Sequence, residues 1–293
     1  MTVYETRYGK IWYRDYKNGI EICAYQGTDI GLDMHEVENA TDKKLISIGK
    51  KAFLSAKTVK ALVLTASVEE IGDWAFAYCM NLEEIQFLSK HIRWGKELFK
   101  GCTKLRNVAV SKQIPGELLA AGLAVMKIQS LLQISEVEQW WYQKFDEALL
   151  DFILMDDREG LVGNVVGGEE EYGTQESDIQ LFMHEKRMEK VRVTYLRLLY
   201  PSYLKAETKD RLENYLRTHT MGEQHAEAWQ VLLDMNDTRY GEVFLQAGCF
   251  HQSNYQMLLE ELAAGHPEMT AMFLRYQSDM QKKEDFFDVL NDF

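Results

Sequence analysis

Between Ile48 and Val110 the apolar positions return every 23 residues. IGKKAFLSAKTVKALVL is followed by IGDWAFAYCMNLEEIQF and then by WGKELFKGCTKLRNVAV, three rows starting at Ile48, Ile71 and Trp94. Gly49, Gly72 and Gly95 align, as do Phe53, Phe76 and Phe99. So do Val59, Leu82 and Leu105, then Leu62, Ile85 and Val108, then Leu64, Phe87 and Val110. A fixed period of roughly 20–50 residues predicts a solenoid, in which each unit buries its apolar edge only by stacking on its neighbours. Equivalent residues on adjacent rungs lie ~4.8 Å apart, so each column becomes a ladder. The glycine column fits a position that needs positive φ or close backbone approach.

The polar columns carry a second pattern. Lys50, Asp73 and Lys96 share one column, and Lys60, Glu83 and Arg106 share another; both read plus, minus, plus. Like charges on neighbouring rungs repel, and this order avoids that. It predicts that Lys60, Glu83 and Arg106 lie side by side on one face. The row pattern then stops: a fourth row would place Glu117 and Gly122 at the apolar and Phe positions.

Ahead of the rows, alternation at Lys10-Ile11-Trp12-Tyr13-Arg14 predicts a strand. Asn18-Gly19 is a turn dipeptide, so Ile20 to Ala24 should pair back on Ile11 to Tyr13 as a hairpin that caps the stack. Ile30 to Met34 reads as a further short strand.

Beyond residue 117 the period becomes helical. GELLAAGLAVMKIQSLL is apolar on nearly all sides and predicts a helix plugging the far end of the solenoid. Ser135 with Glu138 resembles a capping box, opening a helix through Met155 with Trp141, Phe145, Leu149, Phe152 and Ile153 on one face. Trp140-Trp141-Tyr142 reads first as helix packing and second as a binding platform. The stretch at 157–178 holds five glycines between 160 and 173 and the run Glu169-Glu170-Glu171, and reads as a connection. It lacks the Gly-Lys-Ser/Thr of a phosphate-binding loop. Asp178 to Tyr200 predicts a helix stopped by Pro201. A weaker repeat follows: the segment from Leu198 aligns with that from Phe244 at an offset of 46, matching Leu212 and Leu216 to Leu258 and Leu262. That spacing suits helical hairpins of the HEAT or ankyrin kind. Near the C-terminus Phe286, Phe287, Leu290 and Phe293 would form one apolar stripe.

The motif IGxxAFxxCxxLxxIxF, preceded by Ser67-Val68-Glu69-Glu70, resembles the BspA-type (Treponema-like) leucine-rich repeat. NGIEICAYQGTDIGLDM resembles the starter unit of such repeats, so the likeness covers roughly residues 20–110. The resemblance implies a right-handed solenoid with two short strands per turn and a role in protein or ligand binding, often on cell surfaces. The fold expected is therefore α+β: a leucine-rich-repeat β-solenoid with an N-terminal cap over 1–111, with repeats at about 48–70, 71–93 and 94–111, then an acidic all-α helical-hairpin domain over 112–293.

Composition narrows the class. With 46% hydrophobic and 27% charged residues and three prolines, the 293-residue chain is neither disordered nor fibrous. Residues 1–111 carry 16 Lys/Arg against 14 Asp/Glu, whereas 112–293 carry 17 against 32. An acidic second half argues against nucleic acid and membrane as partners. No leader-like segment precedes the repeats, so a cytoplasmic setting is expected. Cys79 and Cys102 share a column with Ala56, while Cys23 and Cys249 stand apart, and all four are expected to be reduced and mostly buried. A disulfide between the adjacent rungs stays open.

No catalytic motif stands out. The seven histidines form no HExxH, and His219 and His225 fall on different helix faces. No GxSxG is present. No cofactor and no metal are expected. Three functions remain: a non-catalytic module or scaffold binding an unknown protein partner; an exported surface adhesin; and an enzyme with a site at the domain junction near Trp94, Trp140 and the glycine-rich stretch. The surface expected to meet a partner comprises Lys60, Glu83, Arg106, Trp140, Glu169, Glu170 and Glu171.

Overall fold

Each 23-residue row folds as two short strands joined by a loop. In the computed structural model, which describes residues 1–133, 138–159, 176–220 and 226–291 (side chains at 1–133, 138–159, 178–220 and 226–282), the strands stack into two ladders. They are β1 (Thr2–Glu5), β2 (Gly9–Tyr16), β3 (Gly19–Gly27), β4 (Gly31–Asp33), β5 (Leu45–Ile48), β6 (Ala61–Leu64), β7 (Glu70–Ile71), β8 (Glu84–Phe87), β9 (Arg93–Trp94) and β10 (Asn107–Ala109). One sheet runs β1-β2-β3-β5-β7-β9 and the other β10-β8-β6-β4. From β3 and from β4 onward all pairings are parallel, with Ile22, Ile48, Ile71 and Trp94 in one register and Leu32, Leu62, Ile85 and Val108 in the other. The solenoid thus has about four turns. The first is built by the starter segment, whose longer spacing accommodates a helix, α1 (Met34–Thr41), between β4 and β5.

The apolar columns become the interior. Phe53, Phe76 and Phe99 are buried and stacked, at ring separations of 5.8 and 5.7 Å, and Tyr25 extends the stack into the first turn at 5.7 Å from Phe53. Such aromatic pairs contribute about 0.5–1.5 kcal/mol each beyond their buried area. Val59, Leu82, Leu105, Leu62, Ile85, Val108, Leu64 and Phe87 are buried, while Val110 is half-buried at the end of the last rung. All four cysteines are free thiols. Cys79 donates from Sγ to the Phe53 carbonyl at 3.0 Å, and Cys102 to the Phe76 carbonyl at 3.1 Å, so each ties its rung to the previous one.

The glycine column answers to close approach. A Cβ at Gly72 would stand 2.5 Å from the Lys50 nitrogen, and one at Gly95 2.5 Å from the Asp73 nitrogen. Within the rows the positive-φ residues lie elsewhere, in two columns of their own: Lys51, Trp74 and Glu97, and Ser55, Tyr78 and Gly101. They belong to loops that form a third, irregular ladder. Lys51, Phe53 and Ser55 donate their amides to the carbonyls of Asp73, Ala75 and Ala77, and Trp74, Phe76 and Tyr78 donate to Lys96, Leu98 and Lys100. A non-glycine residue in the left-handed region costs about 1 kcal/mol, and the inter-rung bonds offset that cost.

The expected hairpin is present: β2 and β3 are antiparallel, with Ile11 opposite Tyr25 and Tyr13 opposite Ile22, and a bulge between Trp12 and Tyr13. β1, which the pattern did not reveal, pairs on β2. Together they cover the edge of β3. Ile30 to Met34 divides between β4 and α1, because Asp33 caps the helix by accepting from the His35 amide.

At the other end α2 (Gly116–Ala124) packs against β10 with Leu118, Leu119, Ala120, Ala121 and Leu123 buried. The apolar run does not continue as one helix to Leu132, as its composition predicted. Lys127 takes φ 58°, the Met126 and Ile128 amides return to the Ala121 and Gly122 carbonyls, and a single 3-10 turn follows at Gln129–Leu132. Gly122 permits this, since a Cβ there would meet the Leu131 side chain at 2.3 Å.

The chain divides into two compact units, Met1–Ala148 and Leu149–Phe293. α3 (Glu138–Leu154) runs across that division; its capping residue Ser135 lies outside the described residues. The second unit contains α4 (Glu176–Leu199), α5 (Ala206–Thr218), α6 (Glu227–Met235), α7 (Thr238–Gln246), α8 (Tyr255–Ala263) and α9 (Pro267–Asn291). α4 packs on α5, α6 and α7, and α9 on α7 and α8. The 46-residue offset relates α5 to α8, and its matched residues Leu212, Leu216, Leu258 and Leu262 are all fully buried. The core joins Val191 and Tyr195 of α4, Trp229 and Leu232 of α6, Phe244 of α7 and Phe273 of α9. The side chains of Phe286, Phe287, Leu290 and Phe293 lie outside the described residues.

Candidate functional site

The turn before β6, β8 and β10 sets Lys60, Glu83 and Arg106 one above another: the Glu83 amide donates to the Lys60 carbonyl at 2.8 Å, and the Arg106 amide to the Glu83 carbonyl at 3.0 Å. Their side chains follow. Lys60 Nζ lies 3.3 Å from Glu83 Oε1, and the Arg106 guanidinium meets Glu83 Oε2. Lys60, through its hydrogen bond, and Arg106 hold the Glu83 carboxyl below its usual range. The column forms a charged strip along one face, as its alternation predicted. The other column works differently: Asp73 accepts the Lys96 backbone amide at 2.8 Å.

Trp141 and Tyr142 are core residues. The Trp141 indole donates to the Leu131 carbonyl at 3.0 Å, and its ring stacks on Phe145 at 5.4 Å. Trp140 is half-buried, with the Lys144 ammonium 4.1 Å from its ring centroid. Trp94 is half-buried, edge-on to Phe87 at 4.9 Å, and lines a groove of about 460 Å³ with Lys90, His91, Arg93 and Lys112. Glu169, Glu170 and Glu171 lie outside the described residues.

Several polar centres escaped the sequence reading. Asp29 accepts from Thr6 Oγ1 at 2.5 Å, the Tyr8 amide at 3.0 Å and the Tyr25 hydroxyl at 3.1 Å. Burial, with Asp29 close by, pushes the Tyr25 phenol up to about 12. Glu38 Oε1 accepts from the Leu45 amide at 2.6 Å, from Thr65 Oγ1 at 3.2 Å and from Ser67 Oγ. In the second unit Arg187 Nε donates to buried Glu227 at 2.5 Å, while Lys190 Nζ reaches Asp157 at 2.7 Å and the Met155 carbonyl. Fully buried Arg197 donates to the Tyr200 and Ser202 carbonyls and closes the turn at Pro201. These carboxylates and cations hold the fold together. Among the described residues no group of three or more His, Cys, Asp or Glu is placed to hold a metal ion, and no helix is long and apolar enough to cross a membrane.

On the solenoid loops, Trp74 stands between two lysines: Lys51 Nζ is 5.6 Å and Lys100 Nζ 4.7 Å from its ring. Lys51 and Trp74 share a column, so the 23-residue alignment already contained part of this cluster.

Residues 35–135 match the BspA type leucine rich repeat region, in six copies. This third of the chain is a BspA-type leucine rich repeat region, and repeats of this kind point to a role in protein interaction. No curated protein and no solved structure matches the chain.

Proposed function

We propose that this protein is an intracellular interaction module or scaffold without catalytic activity, whose solenoid presents a rigid polar face to a protein partner. The observation that carries this reading is the continuous strip of Lys60, Glu83 and Arg106, fixed by inter-rung bonds on a regular stack. A rigid repeat surface binds with little ordering cost, which is how solenoids generally recognise partners. Two carboxylates of the first unit support the absence of chemistry, since buried Asp29 and half-buried Glu38 each already serve three donors of the fold. Trp140 and the acidic run at 169–171 are further contact residues in this proposal, and the boundary near residue 111 separates its solenoid from its helical part.

The test is affinity capture from the native cell with in-cell crosslinking. A partner recovered by the wild type and lost with Glu83→Lys supports the module; absence of any stable partner across growth conditions sinks it. A second reading, an exported adhesin, draws on the BspA-type match. Fractionation with surface proteolysis decides between the two, because a cytosolic pool resistant to added protease removes the adhesin.

A further inference from the structure

We propose that the loop face around Trp74 is the docking site for an acidic peptide segment of a protein partner. This rests on the interaction-module reading and names the chemistry of its partner.

Three features converge there. First, Trp74 is a bulky aromatic held at φ 60°, a conformation that L residues with large side chains rarely adopt. Every row has a left-handed residue at this column, Lys51 in one and Glu97 in another, so the turn itself belongs to the repeat. Only the middle row places an aromatic there, which is not needed for the turn. Second, the ring is half-buried and flanked by Lys51 and Lys100, both exposed. Tyr78 lies 6.3 Å from it and covers Gly101, where a Cβ would come within 2.6 Å of the phenol ring. Third, the surrounding charge is one-sided. Lys50 and Lys96 are exposed beside Asp73, whose carboxylate is engaged by the Lys96 amide, and exposed Glu97 meets Lys100 at 3.8 Å.

Together this is an aromatic platform flanked by two ammonium groups, with two further exposed lysines, Lys50 and Lys96, on the same rungs. Tryptophan and tyrosine are both enriched among the residues that anchor interfaces. Exposed lysines around it attract carboxylates and set the on-rate more than the final affinity. The chemistry selects an acidic peptide over a polyanion. Residues 1–111 are close to neutral, so no long-range field draws nucleic acid. The face offers lysines, whereas bidentate phosphate recognition favours arginine.

The experiment measures fluorescence anisotropy of a short fluorescein-labelled peptide with Glu at every second position, and of its counterpart with Gln, on the full chain. The wild type should bind the Glu peptide about tenfold more tightly than the Gln peptide, with affinity falling as salt rises. Trp74→Ala and the exposed substitutions Lys51→Glu and Lys100→Glu should each weaken binding about tenfold, and Lys10→Glu on the hairpin should leave it unchanged. Lys100→Glu decides the matter even where Trp74→Ala folds poorly, as circular dichroism would show. Equal binding of the two peptides, indifference to Lys51→Glu and Lys100→Glu, or tighter binding of a heparin oligosaccharide or single-stranded RNA at these residues overturns the proposal. If a cellular partner is captured equally by wild type and Lys100→Glu, the interaction module stands and this face is not its site.

Discussion

The two units fill their interiors by opposite means. The solenoid repeats one solution along its rows: a phenyl ring on a phenyl ring, in the last two rows a thiol to the carbonyl of the rung before, and mostly Leu, Ile or Val in the strand columns. Along the three rows its charges meet at the surface, across neighbouring rungs. The helical unit has no such regularity, and it buries charge: Lys190, Arg197 and Glu227 are at most 1% exposed and Arg187 only 7%. The partners Arg187 and Glu227 are 40 residues apart. Repetition lets local periodicity specify packing, whereas the helical unit relies on individual long-range pairs. The two should therefore fail differently when one residue is changed.

The largest expected loss is in the solenoid's centre. Phe76 is fully buried between Phe53 and Phe99 and touches Phe87 edge-on at 6.4 Å. Phe76→Ala should cost about 3–5 kcal/mol, and because rungs depend on their neighbours, hydrogen-exchange protection should fall in the rows on both sides. Protection lost only within residues 71–93 would show that the rungs are independent, which breaks the stacking argument.

In the helical unit, Arg187→Met leaves buried Glu227 without its guanidinium, 2.5 Å away in the wild type. Removing one member of a buried pair costs about 3 kcal/mol or more, since the other charge stays desolvated. Urea titration followed by exchange in α4 and α6 reads it. An unchanged midpoint would mean that the pair is solvated in solution, erasing the contrast between buried and surface charge.

These two sites also mark what the chain's pattern discloses. Phe76 was legible because two further phenylalanines stand 23 positions either side. Arg187 and Glu227 were not, since a charged residue on an amphipathic helix reads as solvent-facing and no local spacing reveals a partner on another helix. The first turn was legible only as a starter segment: α1 stretches its spacing, and its ring is Tyr25 in place of Phe. The left-handed columns were hidden for another reason. Five of their six members are not glycine, so the usual marker of positive φ is missing and only the 23-residue interval betrays them. Of the surface expected to bind, the ladder through Glu83 followed from charge order alone, while the tryptophan pair split: Trp141 went to the core, and Trp140 stays half-buried beside Lys144.

A smaller effect separates the units by one methyl group. At Gly72 a Cβ would press to 2.5 Å of the Lys50 backbone, whereas at Gly265, in the turn between α8 and α9, nothing lies within 4 Å. Gly72→Ala should destabilise by about 1–3 kcal/mol through overpacking between rungs. Gly265→Ala should be neutral or stabilise by up to about 1 kcal/mol, since it restricts the unfolded chain. Thermal melts of the two variants should move in opposite directions, or only the first should move. A stable Gly72→Ala protein would show that the rungs can separate by a few tenths of an ångström without loss, and the glycine column would then need another cause.

The smallest effect tests the surface ladder itself. The hydrogen bond from Lys60 and the charge of Arg106 favour the ionised form of Glu83, so its folded pKa lies below the unfolded value. A depressed carboxylate stabilises the fold above its unfolded pKa, and that contribution is lost as pH falls through the folded one. Titration of the Glu83 side-chain carboxyl carbon by NMR should therefore give a midpoint below the ordinary 4.5. Lys60→Ala should raise it, and added salt should raise it in the wild type, because exposed pairs are screened. The stability change should be close to nothing, for such pairs trade Coulomb attraction against side-chain ordering. That separation is what distinguishes this charge from Glu227: a shifted midpoint with unchanged stability identifies the ladder as a register mark and a surface for a partner, not a support of the fold. A midpoint unmoved by Lys60→Ala would place the two side chains apart in solution, and the alternating column would lose its meaning as a contact.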